Sequence, residues 1–232
     1  MRKLVLFFMS FLLLAWCNLH SWNNKQSLIN ESVIKENLDE KNWYLDLSNK
    51  NYDKIPDICS VKTTPLLEKV KELNLSHNNI KTVNQDLSCL KNLEILNLSY
   101  NKISDFVNLW NPVFLHTIDL SHNNLTNLDN LKKYPKVAHL NLSYNKVKNI
   151  SSLKDLKNLR VLKLQYNQIS NLSWFENLNQ LIFLDLSYNK ISDKYQLRYL
   201  KNLHSLKQLY LKWNPLEERI IKTIEDYSKK HK

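Results

Sequence analysis

Hydrophobic residues recur in a fixed short pattern along most of the chain, and polar residues separate them regularly. Between Val70 and Ile80 the sequence reads VKELNLSHNNI, in which Leu73 and Leu75 flank the polar Asn74. This alternation indicates a β-strand with one buried face. The same three apolar positions return in six later segments: Leu93, Leu96, Leu98; Leu115, Ile118, Leu120; Val137, Leu140, Leu142; Leu159, Leu162, Leu164; Leu181, Leu184, Leu186; Leu206, Leu209, Leu211. Strands this short bury their apolar face only by stacking, about 4.8 Å apart, around one shared core.

One asparagine follows each of these strands at a constant offset. Successive asparagines are 22 residues apart in most repeats, 23 in the first step and 25 in the last. An amide both donates and accepts hydrogen bonds, so it can satisfy the buried backbone groups of a sharp inward turn. We predict a structural ladder and not a catalytic set from these residues: Asn78, Asn101, Asn123, Asn145, Asn167, Asn189 and Asn214.

The second half of each repeat has a different spacing. Val147, Ile150, Leu153 and Leu156 follow one another at intervals of three, which favours a short 3-10 or irregular turn over a long α-helix. Residues 103–115 deviate, with Trp110 and Pro112, and residues 191–206 are long enough for a fuller helix. A degenerate first repeat begins at Tyr44 and carries Lys50 at the ladder position.

The repeated frame LxxLxLxxNxIxxIxxLxxLxx resembles the 22-residue class of the leucine-rich repeat family. The resemblance covers residues 44–216. It implies an α/β solenoid: a horseshoe with a parallel concave β-sheet and short 3-10 or irregular convex segments. Members similar to this chain include the protein phosphatase 1 regulatory subunit, an axonemal dynein light chain and the bacterial internalins, which share the scaffold and differ in partner. We therefore expect about eight repeats over residues 43–214.

The N-terminal segment suggests export. Residues 1–17 begin with Arg2 and Lys3 and continue with an apolar run that is too short to span a membrane, which is typical of a signal peptide. An uncleaved anchor and a lipoprotein are the alternatives; Trp16 before Cys17 argues against the second. For residues 18–42 two interpretations stay open. They form either a flexible polar linker or an N-terminal cap with an amphipathic helix that uses Leu28, Ile29, Val33, Ile34 and Leu38.

The C-terminal segment reads as a cap. In residues 214–217, Asn214 is predicted as the N-cap of a helix, Pro215 as its first residue and Glu217 as its third. Leu216, Ile220, Ile224 and Tyr227 would share one face of that helix. Residues 215–232 are thus predicted to form a cap helix with a basic tail.

Composition excludes several kinds of site. The chain has no glycine, so phosphate-binding loops, dinucleotide fingerprints and nucleophile elbows are absent. Asn and Asp are then expected at the tight turns, because they tolerate left-handed backbone. The net charge of +11 comes from lysines scattered over the repeats, which we interpret as solubilising rather than as a nucleic-acid site. No metal or cofactor motif occurs.

Cys59 and Cys89 are expected as buried free thiols, with a disulfide as the alternative that secretion permits.

The outward residues of the strands point to a binding role. The residue between the two strand leucines is usually Asn or Asp, and rings precede each ladder Asn. Ile95, Val161 and Phe183 are apolar where this face is otherwise mostly polar, and exposed apolar residues on a concave face suggest an interaction site. We predict partner contacts at Val161, Lys163, Tyr166, Phe183, Asp185, Tyr188, Tyr210 and Trp213.

The predicted function is a non-enzymatic scaffold, secreted or on the cell surface, that binds a protein partner through its concave face. No nucleic acid and no stable transmembrane segment are expected after processing. The alternative is an intracellular regulatory scaffold of the phosphatase-regulator or dynein-light-chain type.

Overall fold

The strands of the repeats form one continuous sheet. A computed structural model describes residues 29–61, 64–107 and 113–230. The strands of this sheet are β1 (Leu38–Asp39), β2 (Tyr44–Asp46), β3 (Glu72–Asn74), β5 (Ile95–Asn97), β7 (Thr117–Asp119), β8 (His139–Asn141), β9 (Val161–Lys163), β10 (Phe183–Asp185) and β11 (Gln208–Tyr210). Their order is β1-β2-β3-β5-β7-β8-β9-β10-β11. Neighbours from β2 to β11 are parallel. The predicted solenoid with a parallel sheet is confirmed.

One hydrophobic core runs the length of the array. The central residue of each strand is buried, as in Leu73, Leu96 and Ile118, while the residues on either side of it are partly or fully exposed. The convex half contributes the opposite wall, including the fully buried Phe175. Because every repeat supplies the same apolar positions, each one covers the apolar face of the repeat before it.

The N-terminal end of the core is covered by a helix, α1 (Glu31–Asn37). The Asn30 side chain accepts a hydrogen bond from the Val33 N–H at 3.0 Å, and Ile34 is fully buried. The chain then forms β1, which pairs antiparallel with β2. Residues 29–42 therefore agree with the interpretation as an N-terminal cap that contains a helix, and not with a flexible linker. The predicted signal peptide, residues 1–17, and Leu28 lie outside the described residues.

Most of the convex side consists of short 3-10 segments, as the spacing of three predicts. In one of them the Leu153 N–H donates to the Ile150 carbonyl at 2.9 Å. The segment in residues 191–206 is the longest of them and is 3-10 rather than α-helical. The segments span Ile58–Ser60, Asp129–Lys133, Ser151–Asp155, Ser173–Asn177 and Lys194–Leu200.

Three further convex elements, two paired strands and one helical turn, were not predicted. β4 (Thr82–Val83) pairs in parallel with β6 (Asp105–Phe106), and α2 (Thr64–Leu67) is a single helical turn. Thr, Val and Phe favour extended backbone, which accounts for a strand pair here. On their convex side, these two neighbouring repeats are therefore joined by hydrogen bonds between parallel strands, where other repeats have a 3-10 turn.

The C-terminal helix, α3 (Glu218–Lys230), begins three residues later than predicted. The expected N-cap, Asn214, is occupied elsewhere. Its amide donates to the Leu186 and Leu211 carbonyls, and its Oδ1 accepts from the Ile191 N–H. A side chain that satisfies a buried turn cannot also cap a helix, so the prediction of a helix start at Asn214 was wrong.

Cys59 and Cys89 form a disulfide bridge. The favoured expectation of two buried free thiols is therefore wrong, and both residues are only half-buried. The convex segments of adjacent repeats stack and hold the two Cα atoms 5.4 Å apart, within the range that a disulfide spans. The bridge ties the degenerate first repeat to the next one.

Candidate functional site

The register of the sheet sets which side chains meet on the concave face. Phe183 pairs with Val161 on one side and Gln208 on the other, and Asp185 pairs with Lys163 and Tyr210. Each three-residue strand thus has one outward residue before and one after a single buried leucine or isoleucine. This is the predicted register, and it aligns the outward residues of all strands in columns.

The predicted ladder residues lie beneath this face, and all are buried. Asn145 is typical. Its amide donates to the carbonyls of Leu120, Leu142 and Ser143 at 2.9, 3.1 and 3.2 Å, and its Oδ1 accepts from the Leu125 N–H at 2.9 Å. Equivalent bonds connect each ladder residue to the preceding repeat. The ladder residues are Asn78, Asn101, Asn123, Asn145, Asn167, Asn189 and Asn214.

A continuous stack of rings borders the sheet. Each ring lies 4.0–4.3 Å from the next with nearly parallel planes from His77 to Tyr188, and Trp213 ends the stack at 5.5 Å. Ring faces are therefore used within the protein, and the outer edges are left for contact. The members are His77, Tyr100, His122, Tyr144, Tyr166, Tyr188 and Trp213.

These ring residues, and not Asn or Asp, carry the left-handed backbone of the repeats. Their φ angles lie between 53° and 63°. The expectation that Asn and Asp close these turns was wrong for all but the first repeat, where Asn49 and Asn51 have φ of 55° and 60°. Left-handed backbone costs a residue with a Cβ about 1–2 kcal/mol, and stacking contributes about 0.5–1.5 kcal/mol per pair. Ring stacking thus offsets part of the backbone cost.

The Asn or Asp between the two leucines of a strand also makes a hydrogen bond within its own repeat. In most repeats its Asn or Asp accepts a hydrogen bond from the N–H of a serine two residues later, as Asp185 does from Ser187 at 2.9 Å. β9 departs from this pattern with Lys163 and Gln165. The Gln165 Oε1 is buried and has no hydrogen-bond partner among the described residues. A buried polar atom without a partner is unusual in a folded protein.

Gln165 is the residue that sequence reasoning missed. The sequence does show a difference at this position, because Gln165 stands where most repeats have serine. Both residues are polar, however, so the exchange alone does not indicate a functional residue. With Lys163 two residues before Gln165, the β9 repeat lacks the local Asx–Ser hydrogen bond, as does the β11 repeat with Tyr210 and Lys212.

The eight predicted contact residues lie at the C-terminal end of the face. Val161, Lys163, Phe183 and Asp185 are half-buried in β9 and β10. Tyr210 lies in the neighbouring column, not directly beside Phe183, yet the two rings are 5.6 Å apart at a tilt of 46°. Tyr166 and Tyr188 belong to the ring stack and are each 37% exposed, and Trp213 at its end is 69% exposed.

The N-terminal end of the face has a different chemistry. Asn74 donates to the Tyr44 hydroxyl and to Asp46, and burial together with the Asp46 charge raises the pKa of Glu72. Glu94 lies between Lys71 and His116, at 3.4 and 3.6 Å. These polar groups are paired with one another. Ile95 in β5 is a single apolar residue among them, whereas Val161 and Phe183 are apolar neighbours on β9 and β10.

Two histidines in the middle of the face have lowered pKa values. Burial is the main cause for both; His116 and Arg160 add to it at His139, and His77 adds to it at His122, where Asp119 opposes the shift. Both histidines are therefore mostly neutral near pH 7. Among the described residues, no group of three or more His, Cys, Asp or Glu side chains could hold a metal ion. Within the same residues, no helix has the length and apolar character needed to cross a membrane.

Comparison with known proteins agrees with this architecture. The family model for leucine rich repeats matches residues 44–103, and a model for two copies of the repeat matches residues 135–178 and 157–198. No curated protein matches the sequence.

Solved structures with a similar fold come from different proteins. An internalin (inlF) from Listeria monocytogenes has 26% identity and a TM-score of 0.60, over 78% of this chain and 51% of that one. Internalin C2 (inlC2) from the same organism has 27% identity and a TM-score of 0.58, over 67% of both chains. TLR13 in complex with ssRNA13 has 30% identity and a TM-score of 0.59, over 67% of this chain and 23% of that one. The chain thus spans about half the length of the first of these structures.

Proposed function

Since the chain belongs to the leucine-rich repeat family, whose scaffold is typical of protein–protein interaction, we propose that it binds a protein partner through its concave face. The contact centres on β9, β10 and β11. The proposed role is recognition without a chemical reaction, and the polar groups at the N-terminal end of the face are paired with one another.

One observation carries this proposal. Departures from the repeat pattern are concentrated on β9, β10 and β11. Val161 and Phe183 are apolar neighbours, whereas Ile95 on β5 is a single apolar residue among polar ones. The usual Asx–Ser pair is replaced by Lys163 and Gln165 in the β9 repeat and by Tyr210 and Lys212 in the β11 repeat. A repeat that served only the fold would keep the pattern of its neighbours. An apolar centre with a charged and polar border is the composition of interaction hot spots.

A protein partner is favoured over nucleic acid. The ring stack resembles a platform for bases, but its faces are occupied by neighbouring rings at 4.0–4.3 Å along most of its length. Asp119 and Asp185 stand on the same face and repel phosphate. The TLR13 structure holds single-stranded RNA, so RNA is an outcome that the experiment below includes.

A secreted or surface location is part of the proposal. The disulfide between Cys59 and Cys89 supports it, because such bridges persist in oxidising compartments and are rare in the cytosol. The same bridge weighs against the intracellular scaffold. The apolar segment at residues 1–17 is a second, independent reason from the sequence.

The test is affinity measured on a captured partner. The protein is used to capture its partner from culture medium and from cell lysate, and binding is then quantified by surface plasmon resonance. Truncating Phe183 to Ala should weaken binding at least roughly tenfold, because a hot-spot truncation costs about 2 kcal/mol or more. It should change stability little, since the residue lies on the outer side of β10.

The matched control is Phe114→Ala. It removes the same ring from a residue that is 53% exposed and lies outside the concave strands, so it should leave affinity unchanged. Equal affinity of the Phe183 variant and the wild type would contradict the proposed site. Direct, saturable binding of single-stranded RNA, with no protein captured, would replace the protein partner by RNA.

A further inference from the structure

A cleft opens at the C-terminal end of the solenoid, away from the concave face. It lies between the 3-10 segment Lys194–Leu200 and helix α3, and its volume is about 810 Å³. Its floor and walls are aliphatic: Leu197, Leu200, Leu203, Leu206, Ile220 and Ile224. A cleft of this size is within the range of about 300–1,000 Å³ that small-molecule ligands occupy.

The cleft exists because the cap covers the last repeat incompletely. In the preceding repeat, Leu178, Leu181 and Leu184 are 1%, 0% and 0% exposed. The residues at the same positions of the last repeat keep more exposure: Leu203 4%, Leu206 8% and Leu209 5%. The terminal core is thus open on one side where the interior repeats are closed.

The rim of the cleft is basic. Lys194, Arg198, Lys201 and His204 line it, and no acidic side chain is among the lining residues that the structure describes. The acidic groups that act on Arg198 are Asp193 and Glu176, outside the lining, and its guanidinium donates to the Tyr199 hydroxyl at 2.7 Å. Glu217 lines a smaller adjoining hollow. A ligand in the cleft would meet an apolar interior and a positive entrance.

We propose that this cleft binds a single-chain anionic amphiphile, specifically a free fatty acid. The aliphatic walls fit an alkyl chain, and the lysine and arginine side chains fit a carboxylate at the mouth. A second copy of the chain is a poor occupant, because a symmetric contact at this end would bring the same basic rim against itself. A phospholipid with two acyl chains is larger than this single space calls for.

The first measurement compares two head groups on one alkyl chain. The full protein is titrated calorimetrically with dodecanoate and with dodecyltrimethylammonium, each kept well below its micelle concentration. Dodecanoate should bind saturably, one molecule per chain, and at least tenfold more tightly than the cation. Equal affinity for the two, or no saturable binding of dodecanoate, overturns the proposal.

Variants then locate the binding. The double variant Arg198→Glu, Lys201→Glu should lose at least tenfold in dodecanoate affinity. A matched control reverses two exposed lysines on earlier repeats, Lys132→Glu and Lys157→Glu, and should lose none. Ile224→Trp should fill the cleft and abolish binding while the circular dichroism spectrum is kept; this variant decides if the charge reversal fails to fold.

Other occupants would give different results. If the protein dimerises without ligand and Ile224→Trp makes it monomeric, the cleft is a contact between copies and the proposal is wrong. If it floats with phosphatidylglycerol vesicles but does not bind free dodecanoate, the occupant is a membrane lipid and the proposal is equally wrong.

Discussion

Replacing Asn145 by Leu perturbs one step of the ladder in the middle of the array. The two side chains are similar in size, so the change removes hydrogen bonds and creates little cavity. Asn145 makes four of them, three as a donor and one as an acceptor. The effect on the free energy of unfolding can be worked out group by group.

The Leu125 N–H has Asn145 as its acceptor and is orphaned by the change. A buried unpaired donor costs about 1–3 kcal/mol. Each of the three carbonyls keeps one other hydrogen-bond donor. The Leu120 oxygen still accepts from the Asn123 amide, the Leu142 oxygen from the Asn167 amide and the Ser143 oxygen from the His122 N–H. Their weakening adds about 1 kcal/mol in total. The expected loss is therefore about 3 kcal/mol, or a fall in Tm of roughly 6–12 °C.

Urea unfolding followed by circular dichroism measures this loss. The matched control is Asn179→Leu, at an exposed residue whose side chain makes no hydrogen bond to any described residue; it should change stability by less than about 0.5 kcal/mol. Combining Asn145→Leu with Asn167→Leu removes both amide donors of the Leu142 carbonyl, so the double variant should lose more than the two single losses together. A loss below about 0.5 kcal/mol for Asn145→Leu would refute the ladder as reasoned here.

Three further predictions concern other parts of the chain. Deleting residues 215–232 exposes the apolar end of the last repeat, so size-exclusion chromatography should show aggregation, and a soluble monomer with one cooperative transition would contradict the capping role. Replacing Cys59 and Cys89 by Ser opens a link between residues 30 apart, which should cost about 3 kcal/mol in urea unfolding, and an unchanged midpoint would show that the bridge adds no stability. A hydrogen bond with Tyr188, together with burial and neighbouring phenolate charge, raises the pKa of Tyr166 above its ordinary value of 10.0. Stability should consequently fall as pH rises above about 10, and phenolate absorbance of the Tyr166→Phe variant should lose the latest-titrating component; an unchanged titration would contradict the assignment.

The strands and their register were predictable because a period of two leaves few alternatives. Leu73 and Leu75 can face the core together only if Asn74 faces outward, and the repeats enforce the same choice in each strand. The 3-10 turns followed in the same way from the spacing of three. Repetition turned weak local signals into one consistent solution.

Features that depend on a contact between repeats were harder to predict. The rings accept left-handed backbone because each one stacks on its neighbour, which no single repeat reveals. Asn214 satisfies the motif of a helix cap as well as that of the ladder, and the buried turn wins. Whether Cys59 and Cys89 meet depends on how two irregular convex segments align, so spacing alone could not decide it.

The candidate site, too, could be predicted from the sequence only in part. The sequence indicated Val161, Phe183 and Lys163 as exceptions on a polar face, and the sheet register brings them onto adjacent strands. It did not reveal that the Tyr210 ring reaches Phe183 from the next column, or that the Gln165 oxygen is left unpaired. Those facts depend on side-chain packing, which hydrophobic periodicity does not specify.

Site-specific photo-cross-linking tests the central claim most directly. A photoreactive phenylalanine analogue is placed at Gln208, which is exposed and pairs with Phe183 on the concave face, and separately at Lys157 on the convex side. Binding through the concave face predicts one discrete protein adduct from position 208 and none from position 157. An adduct from position 157 alone, or equal adducts from both positions, would contradict it.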